Sequence, residues 1–232
     1  MDPVAALELL ESSIKPLKSP AVLFSGGLDS SIIAFLANSP RLYTLCHSEE
    51  SYDLINARKS AELLGLKIEP VFFSESDVKE SAESLGHILS GVTSIDVAHH
   101  LLARGINEEK ALSGQGADEL FLGYAKYSKM GAEEKTRRAE EDFERWMREE
   151  REKRIFSHLK KEIIFPYASL RDVAVSLPLE EREEKRPLRS LALHLGLPEE
   201  IALQHKKAMQ YGSGVARVMK RLSASSSRSS RS

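Results

Sequence analysis

The sequence predicts an α/β protein, a doubly wound parallel sheet with a helical C-terminal extension. Three observations carry that reading. Short apolar runs alternate with helical stretches before residue 128, the pattern of parallel strands covered on both faces. Two of those runs end in turns of glycine and serine that lead into a helix, at Ser25 to Ser31 and at Ser113 to Gly116. From about residue 129 onward the pattern becomes helical and highly charged.

The elements follow in order. Residues 4 to 15 read as a short amphipathic helix with Val4, Leu7, Leu10 and Ile14 on its apolar face, stopped near Pro16. Ala21-Val22-Leu23-Phe24 is a buried strand, and Ile32 to Ala37 continues the helix after the first turn. Leu42 to Cys46 is the second strand, and 53 to 64 is a helix ended by Gly65. Lys67 to Phe73 is the third strand, and 77 to 90 and 93 to 104 are two further helices. Lys110 to Ser113 is the fourth strand. Residues 132 to 161 read as one long solvated helix lying over the core. Its support is a set of i,i+4 charge pairs, Glu133 with Arg137, Glu134 with Arg138, Glu144 with Arg148 and Glu149 with Lys153. Phe143, Trp146 and Met147 give it a small apolar patch.

These elements make one domain over residues 1–222, with an α/β core at about 18–128 and a helical part at 129–222. Ser223 to Ser232 are nearly all serine and arginine, cannot build a core, and read as a disordered tail. The chain has 232 residues, enough for a substantial core. It is 41% hydrophobic and 29% charged, the composition of an ordinary globular protein. A net charge of −2 announces no broad nucleic-acid surface. The single cysteine, Cys46, excludes an internal disulfide and a cysteine-rich zinc site, and reads as a packed small residue. No apolar run has the length of a membrane span, and the N-terminus lacks a secretory pattern, so the expected location is the cytoplasm.

The chemistry sits in the two turns. In Ser25-Gly26-Gly27-Leu28-Asp29-Ser30-Ser31, backbone N–H groups, serine hydroxyls and the positive end of a helix converge on one small volume. That is an anion cradle, and phosphate is its natural guest. Asp29 within such a cradle calls for a cation beside the phosphate, and Mg²⁺ is the usual one. The turn lacks the lysine of a Walker loop and is not G-x-G-x-x-G. Ser113-Gly114-Gln115-Gly116-Ala117-Asp118-Glu119 repeats the logic at the next strand end. Asp118 would face Asp29, and the two carboxylates with a pyrophosphate would complete a metal shell. Asp118 and Glu119 also suit a helix N-terminus without any metal. His99 and His100 point to different faces of a helix, would not share one metal, and read as capping or surface residues. His47 falls just past the second strand, near the nucleotide.

The spacing of the first turn resembles the SGGxDS loop of the N-type ATP pyrophosphatases. With Leu112 to Tyr124, which matches LSGEGADELFGGY apart from Gln115 and Leu122, the chain resembles the synthetase domain of the asparagine synthetase family. That resemblance, over about residues 20 to 215, implies an adenine nucleotide alpha hydrolase-like fold. It implies an ATP-dependent, AMP-forming amide ligase. A carboxylate such as aspartate or a related small acid attacks the α-phosphate of MgATP, pyrophosphate leaves, and ammonia or another amine attacks the acyl-adenylate. It implies that Ser25, Gly26, Gly27 and Ser30 hold pyrophosphate and that Asp29 and Asp118 hold Mg²⁺. Leu23, Leu45, Ser113 and Gly114 then line the adenosine pocket, and Lys206 stands at the catalytic lysine position, with Lys207 one register away.

The pattern departs from the family in three places. No glutaminase domain precedes the synthetase segment, so the chain reads as a stand-alone domain using free ammonia, another amine or a separate glutaminase subunit. Gln115 replaces a glutamate that could take a proton from the attacking amine; an amide can still hydrogen-bond there. Ile164 to Ser169 replaces R-x-P-F-L-D and loses both its arginine and its aspartate. The nucleotide half is intact and the acceptor half is altered. Two other functions fit the same residues: a nucleotide-binding regulatory or partner subunit without turnover, and adenylation of a base in RNA. The near-neutral charge and the lack of cysteine pairs, which RNA-thiolating relatives of the loop typically carry, weigh against the second.

Overall fold

A computed structural model of the chain describes residues 1–204 and 214–229, with side chains described as far as residue 222. Its centre is a five-stranded, all-parallel sheet in the order β3-β2-β1-β4-β5. The strands are β1 (Ala21–Leu23), β2 (Arg41–Cys46), β3 (Ile68–Phe72), β4 (Lys110–Leu112) and β5 (Glu162–Ile164). The helices before β4 are α1 (Pro3–Ile14), α2 (Leu28–Leu36), α3 (Tyr52–Leu63), α4 (Glu75–Gly86) and α5 (Ser94–Gly105). After β4 come α6 (Ala117–Leu120), α7 (Ala132–Glu149) and α8 (Arg151–His158). Beyond β5 follow α9 (Arg171–Ser176), α10 (Leu179–Arg182), α11 (Arg186–His194), α12 (Glu199–Ala202) and α13 (Val215–Ser229).

Strand alternation assigns the two faces. Val22, Phe24, Leu42 and Leu112 pack with α1, α2, α11 and α12 in one core. Ala21, Leu23, Tyr43, Leu45 and Ala111 pack with α4, α5, α8 and α13 in the other. Strands buried on both faces read as continuous apolar runs, which is why they were visible in the sequence. Strand order reverses between β1 and β4, whose register pairs Ala21 with Ala111 and Val22 with Leu112. In a sheet of this kind the crevice beyond that reversal is where ligands bind. Both glycine turns open there. Among the described residues no helix is long and apolar enough to cross a membrane.

Several expectations need correcting. The single helix over 132–161 is two, α7 and α8, broken where Glu150 takes φ +47. Its predicted charge pairs are replaced by others: Arg137 bonds Glu141, Arg138 reaches Glu141 and Asp142, and Glu144 bonds Arg171. α1 buries Ala6, Leu10 and Ile14, while Val4 is exposed, so its inward face is rotated from the one expected. β5 is a strand the charged surroundings of Glu162–Ile164 concealed. α4 starts at Glu75, two residues before the expected 77, because Ser74 and Asp77 form a capping box; Thr93 and Asp96 do the same for α5.

His99 and His100 are both buried, each 3% exposed, against the expected capping or surface role. They face apart, as expected of adjacent helical residues. His100 packs beside His158 with ring centroids 6.5 Å apart, and neither of its ring nitrogens has a hydrogen-bond partner. Burial drives the His100 imidazole down to about 4, and the charges of Arg104 and His158 add to that. Unfolding frees this ring to take a proton near its ordinary 6.5, so the unfolded chain binds more protons between those two values. Stability is therefore lost as pH falls from about 6.5 towards 4. We expect His100→Leu to recover about 1–3 kcal/mol of that acid loss, read as a shallower fall in urea-unfolding free energy between pH 7 and 4.5. A fall as steep as in the wild type would show that His100 does not cause it.

Candidate nucleotide-binding site

The first cradle is held from below. Phe24 N–H donates to the Tyr43 carbonyl, and Thr44 Oγ1 donates to the Phe24 carbonyl at 2.5 Å, which together extend the strand pairing into the turn. Asn56 and Ser60 of α3 donate to the carbonyls of Ser25 and Gly26, at 3.0 and 2.7 Å. Gly26 has φ +71, and a Cβ there would lie 2.7 Å from the Asn56 carbonyl oxygen. Its glycine is needed for close packing on α3. Gly26 and Gly27 are not among the residues lining the cavity.

Inside the turn the serines bind each other. Ser25 N–H donates to Ser30 Oγ at 3.3 Å, Gly27 N–H donates to Ser25 Oγ at 3.4 Å, and Ser30 Oγ donates to the Gly27 carbonyl at 3.2 Å. The second turn lies alongside. A Cβ on Gly114 would sit 3.0 Å from the Asp29 Cβ, so the glycine allows the two turns to touch. Ser113 N–H donates to the Ile164 carbonyl of β5, and Gln115 N–H donates to Ser113 Oγ. One cavity spans both turns. Ser25, Asp29, Ser30, Ser113, Gly114, Gln115 and Asp118 line it at the polar end, and Leu23 and Leu45 line it towards the sheet. It thus brings together nine of the predicted site residues.

Asp29 and Asp118 do converge, as the sequence predicts, but around a residue it did not single out. The Lys185 ammonium donates to Asp29 Oδ2 at 2.6 Å and lies 2.5 Å from Asp118 Oδ1. Lys185 is 6% exposed. Burial pulls its pKa down, and the two carboxylates outweigh that and hold it above its ordinary value. Getting it there takes unusual backbone: Glu184 and Lys185 both have positive φ, and the Lys185 N–H donates to the Phe121 carbonyl. A Cβ on Gly123 would fall 2.1 Å from the Lys185 Cε and 2.2 Å from Asp118 Oδ1. Only glycine leaves room for the ion triad. Tyr167, fully buried, donates from its hydroxyl to the Asp29 carbonyl at 3.0 Å.

Eight further described residues line the cavity, Phe24, Tyr43, Thr44, Asp53, His99, Leu102, Gly116 and Glu119. Glu119 is buried, and burial above all lifts its carboxyl above the usual range; Tyr124 donates to its Oε1 at 2.8 Å. His99, Leu102 and Asp53 complete the walls. His47 does not line it; its ring stacks near Phe73 and its Nδ1 lies 3.2 Å from the Phe73 carbonyl. Cys46 is buried and its thiol is pushed up to about 11, chiefly by burial, so it is packing and not a nucleophile. Lys206 and Lys207 lie outside the described residues. The flanks of that segment reach the site's edge: Gln204 donates to the Gly26 carbonyl, and a Cβ on Gly214 would lie 3.6 Å from the His47 Cβ.

Two hard carboxylate donors a few ångströms apart suit a divalent ion such as Mg²⁺. Among the described residues no third acidic, histidine or cysteine ligand joins them. The protein therefore offers an incomplete shell that phosphate oxygens would have to finish. Such an ion would compete with Lys185 for the same oxygens.

A parallel α/β sheet with two glycine-serine turns and paired carboxylates around a cavity at its topological reversal has the arrangement in which α/β domains of this class bind ligands. Residues 18–174 match the model of the asparagine synthase family, and the chain belongs to that family. A Methanocaldococcus jannaschii protein described as a glutamine-hydrolyzing asparagine synthetase is 27% identical, over 87% of this chain and 47% of its own length. The glutamine-hydrolyzing asparagine synthetases of rat and human are each 32% identical over 55% of this chain and 25% of theirs. The chain thus spans about half the length of the first relative and a quarter of the others. A solved Methanocaldococcus jannaschii structure, titled as a predicted subunit of tRNA methyltransferase, aligns over 82% of this chain and 94% of its own at 21% identity and a TM-score of 0.35.

Removing the ammonium would leave two carboxylates facing each other in a buried site. We expect Lys185→Met to destabilise the fold by about 3–5 kcal/mol at neutral pH. In the wild type, the raised Lys185 keeps its contribution at every pH below its ordinary 10.5 and loses it only in strong alkali. Urea unfolding at neutral pH checks this; adding Asp118→Asn to Lys185→Met should recover part of the deficit by removing the facing charge, and a double variant as unstable as the single one would refute the triad as its source.

Proposed function

We propose that the protein is an AMP-forming ligase that adenylates a small carboxylic acid, releases pyrophosphate, and passes the acyl group to ammonia or another amine. The observation that carries this reading is the convergence of Asp29 and Asp118 on a single cation at the reversal of strand order, beside two serine-glycine turns. In this reading Ser25 and Ser30 exchange their mutual bonds for bonds to the pyrophosphate, and the N–H groups of the turn face it. Asp29 and Asp118 would hold Mg²⁺ by displacing part of the Lys185 contact, and the ion would supply positive charge beside the leaving pyrophosphate. Lys185 balances the pair and holds the turns at a fixed separation. Leu23 and Leu45 supply the apolar wall for the adenosine. Gln115 hydrogen-bonds to the adenylate and cannot take up a proton, so the amine must lose its proton to another group or to water. Lys206 is the second cation proposed for the reacting phosphate, in keeping with the family resemblance. Ammonia would come from solution or from a separate glutaminase subunit.

The test is pyrophosphate release with ATP, Mg²⁺, ammonia and a panel of small acids. Asp29→Asn and Asp118→Asn should each lower the rate by about a hundredfold or more, while Gln115→Glu should raise amide formation relative to adenylate hydrolysis. Wild-type rates in both aspartate variants would overturn the reading. ATP binding in calorimetry with no pyrophosphate from any acid would favour a nucleotide-binding subunit without turnover.

A further inference from the structure

A second cavity, of about 400 Å³, lies between α6, α7 and α9. Its inner wall holds a charge with no ion-pair partner among the described residues, on which Glu140 acts only from a distance. Arg182 is 3% exposed, and its Nε donates to the Leu120 carbonyl at 2.9 Å. Among the described residues no carboxylate forms an ion pair with it. Burial pulls its pKa down, with Glu140 and Tyr127 only partly opposing that. A buried guanidinium without a counter-ion is costly. Its free edge is a planar pair of N–H groups, the shape that grips a carboxylate at two points.

We propose that this cavity binds a small monocarboxylic acid, with the Arg182 guanidinium recognising its carboxylate. Leu120, Ala139, Phe143 and Val175 give the cavity an apolar lining for the body of such an acid. The rim sets the charge limit. Arg171 is already taken by Glu144 and Asp172, and Glu140 leaves the rim acidic. A second carboxylate on the ligand would meet that rim, so a dicarboxylic acid is disfavoured. A simple amine would meet Arg182 and is excluded at the inner wall. Glu119 lines both this cavity and the cradle between the turns, so the two share a wall. That the bound acid is the one to be activated rests on the adenylating reading; that it binds does not.

Titration calorimetry of the full chain without nucleotide separates the two. Sodium isovalerate should bind saturably, succinate about tenfold or more weaker, and isoamylamine not at all. Arg182→Leu should weaken isovalerate by tenfold or more. Val175→Trp, on a wall where Val175 is half exposed, should fill the cavity and do the same with an unchanged circular dichroism spectrum. If Arg182→Leu fails to fold, Val175→Trp decides. Absence of isovalerate binding, preference for the amine or the dicarboxylate, or full binding in Val175→Trp would overturn the proposal. Binding of isovalerate without pyrophosphate release from any acid would retire the adenylating reading alone. Pyrophosphate release without binding here would retire this cavity alone.

Discussion

One ammonium group holds the site together. Asp29 comes from the turn after β1, Asp118 from the turn after β4, and Lys185 from the kinked segment before α11. Two carboxylates drawn this close repel, and the repulsion is strong where water is excluded. Lys185 turns that repulsion into attraction and ties three distant parts of the chain to one point. Its own burial is tolerable only because both acids surround it. The positive φ values of Glu184 and Lys185 and the bare Cα of Gly123 are the backbone conditions of that contact. The triad leaves one net negative charge facing the cradle, and an anionic ligand must be compensated by turn amides, a divalent ion or another cation.

How far this was legible depends on whether the signal is local. Strands buried on both faces show as apolar runs, so β1, β2 and β4 could be read directly, and the two turns follow from glycine and serine placed at strand ends. Asp29 and Asp118 were readable because each sits inside such a turn. Lys185 was not. It stands in Glu183-Glu184-Lys185-Arg186, which looks like any solvated charge run, and only the fold carries it inward. β5 was hidden for the opposite reason: a three-residue edge strand beginning with Glu162 has too little apolar sequence to stand out. His99 and His100 were misjudged because burial of a neutral imidazole leaves no local mark. Glu150 shows the limit for helices, since a residue with no special preference for positive φ breaks an uninterrupted charged run.

The altered acceptor half looks different once its contacts are known. Ile164 to Ser169 lacks the arginine and aspartate of the family pattern, yet the segment still supports the cradle. Ile164 accepts from the Ser113 N–H and Tyr167 bonds the Asp29 carbonyl, so the strand and the aromatic hydroxyl fix both turns. What has gone is charge, and what remains is position. Trp146 covers this region from α7, stacking edge-on against Phe165 with centroids 4.9 Å apart and lying over Gly116. The charged helix expected to be merely solvated therefore contributes an aromatic roof to the second turn.

The cradle itself is poised for exchange. Its internal serine contacts, at 3.2 to 3.4 Å, are long for bonds to hydroxyl oxygens. Bonds of that length hold the turn in shape while contributing little. An anion offers the same hydroxyls and amides shorter, charge-assisted bonds, so little is lost when the serines turn outward. The backbone beneath is held more firmly, by the Asn56, Ser60 and Tyr167 bonds to the carbonyls of Ser25, Gly26 and Asp29. Rigid carbonyls below and loosely engaged hydroxyls above give a turn that keeps its geometry while its donors change partners, which suits the binding and release of pyrophosphate proposed for it.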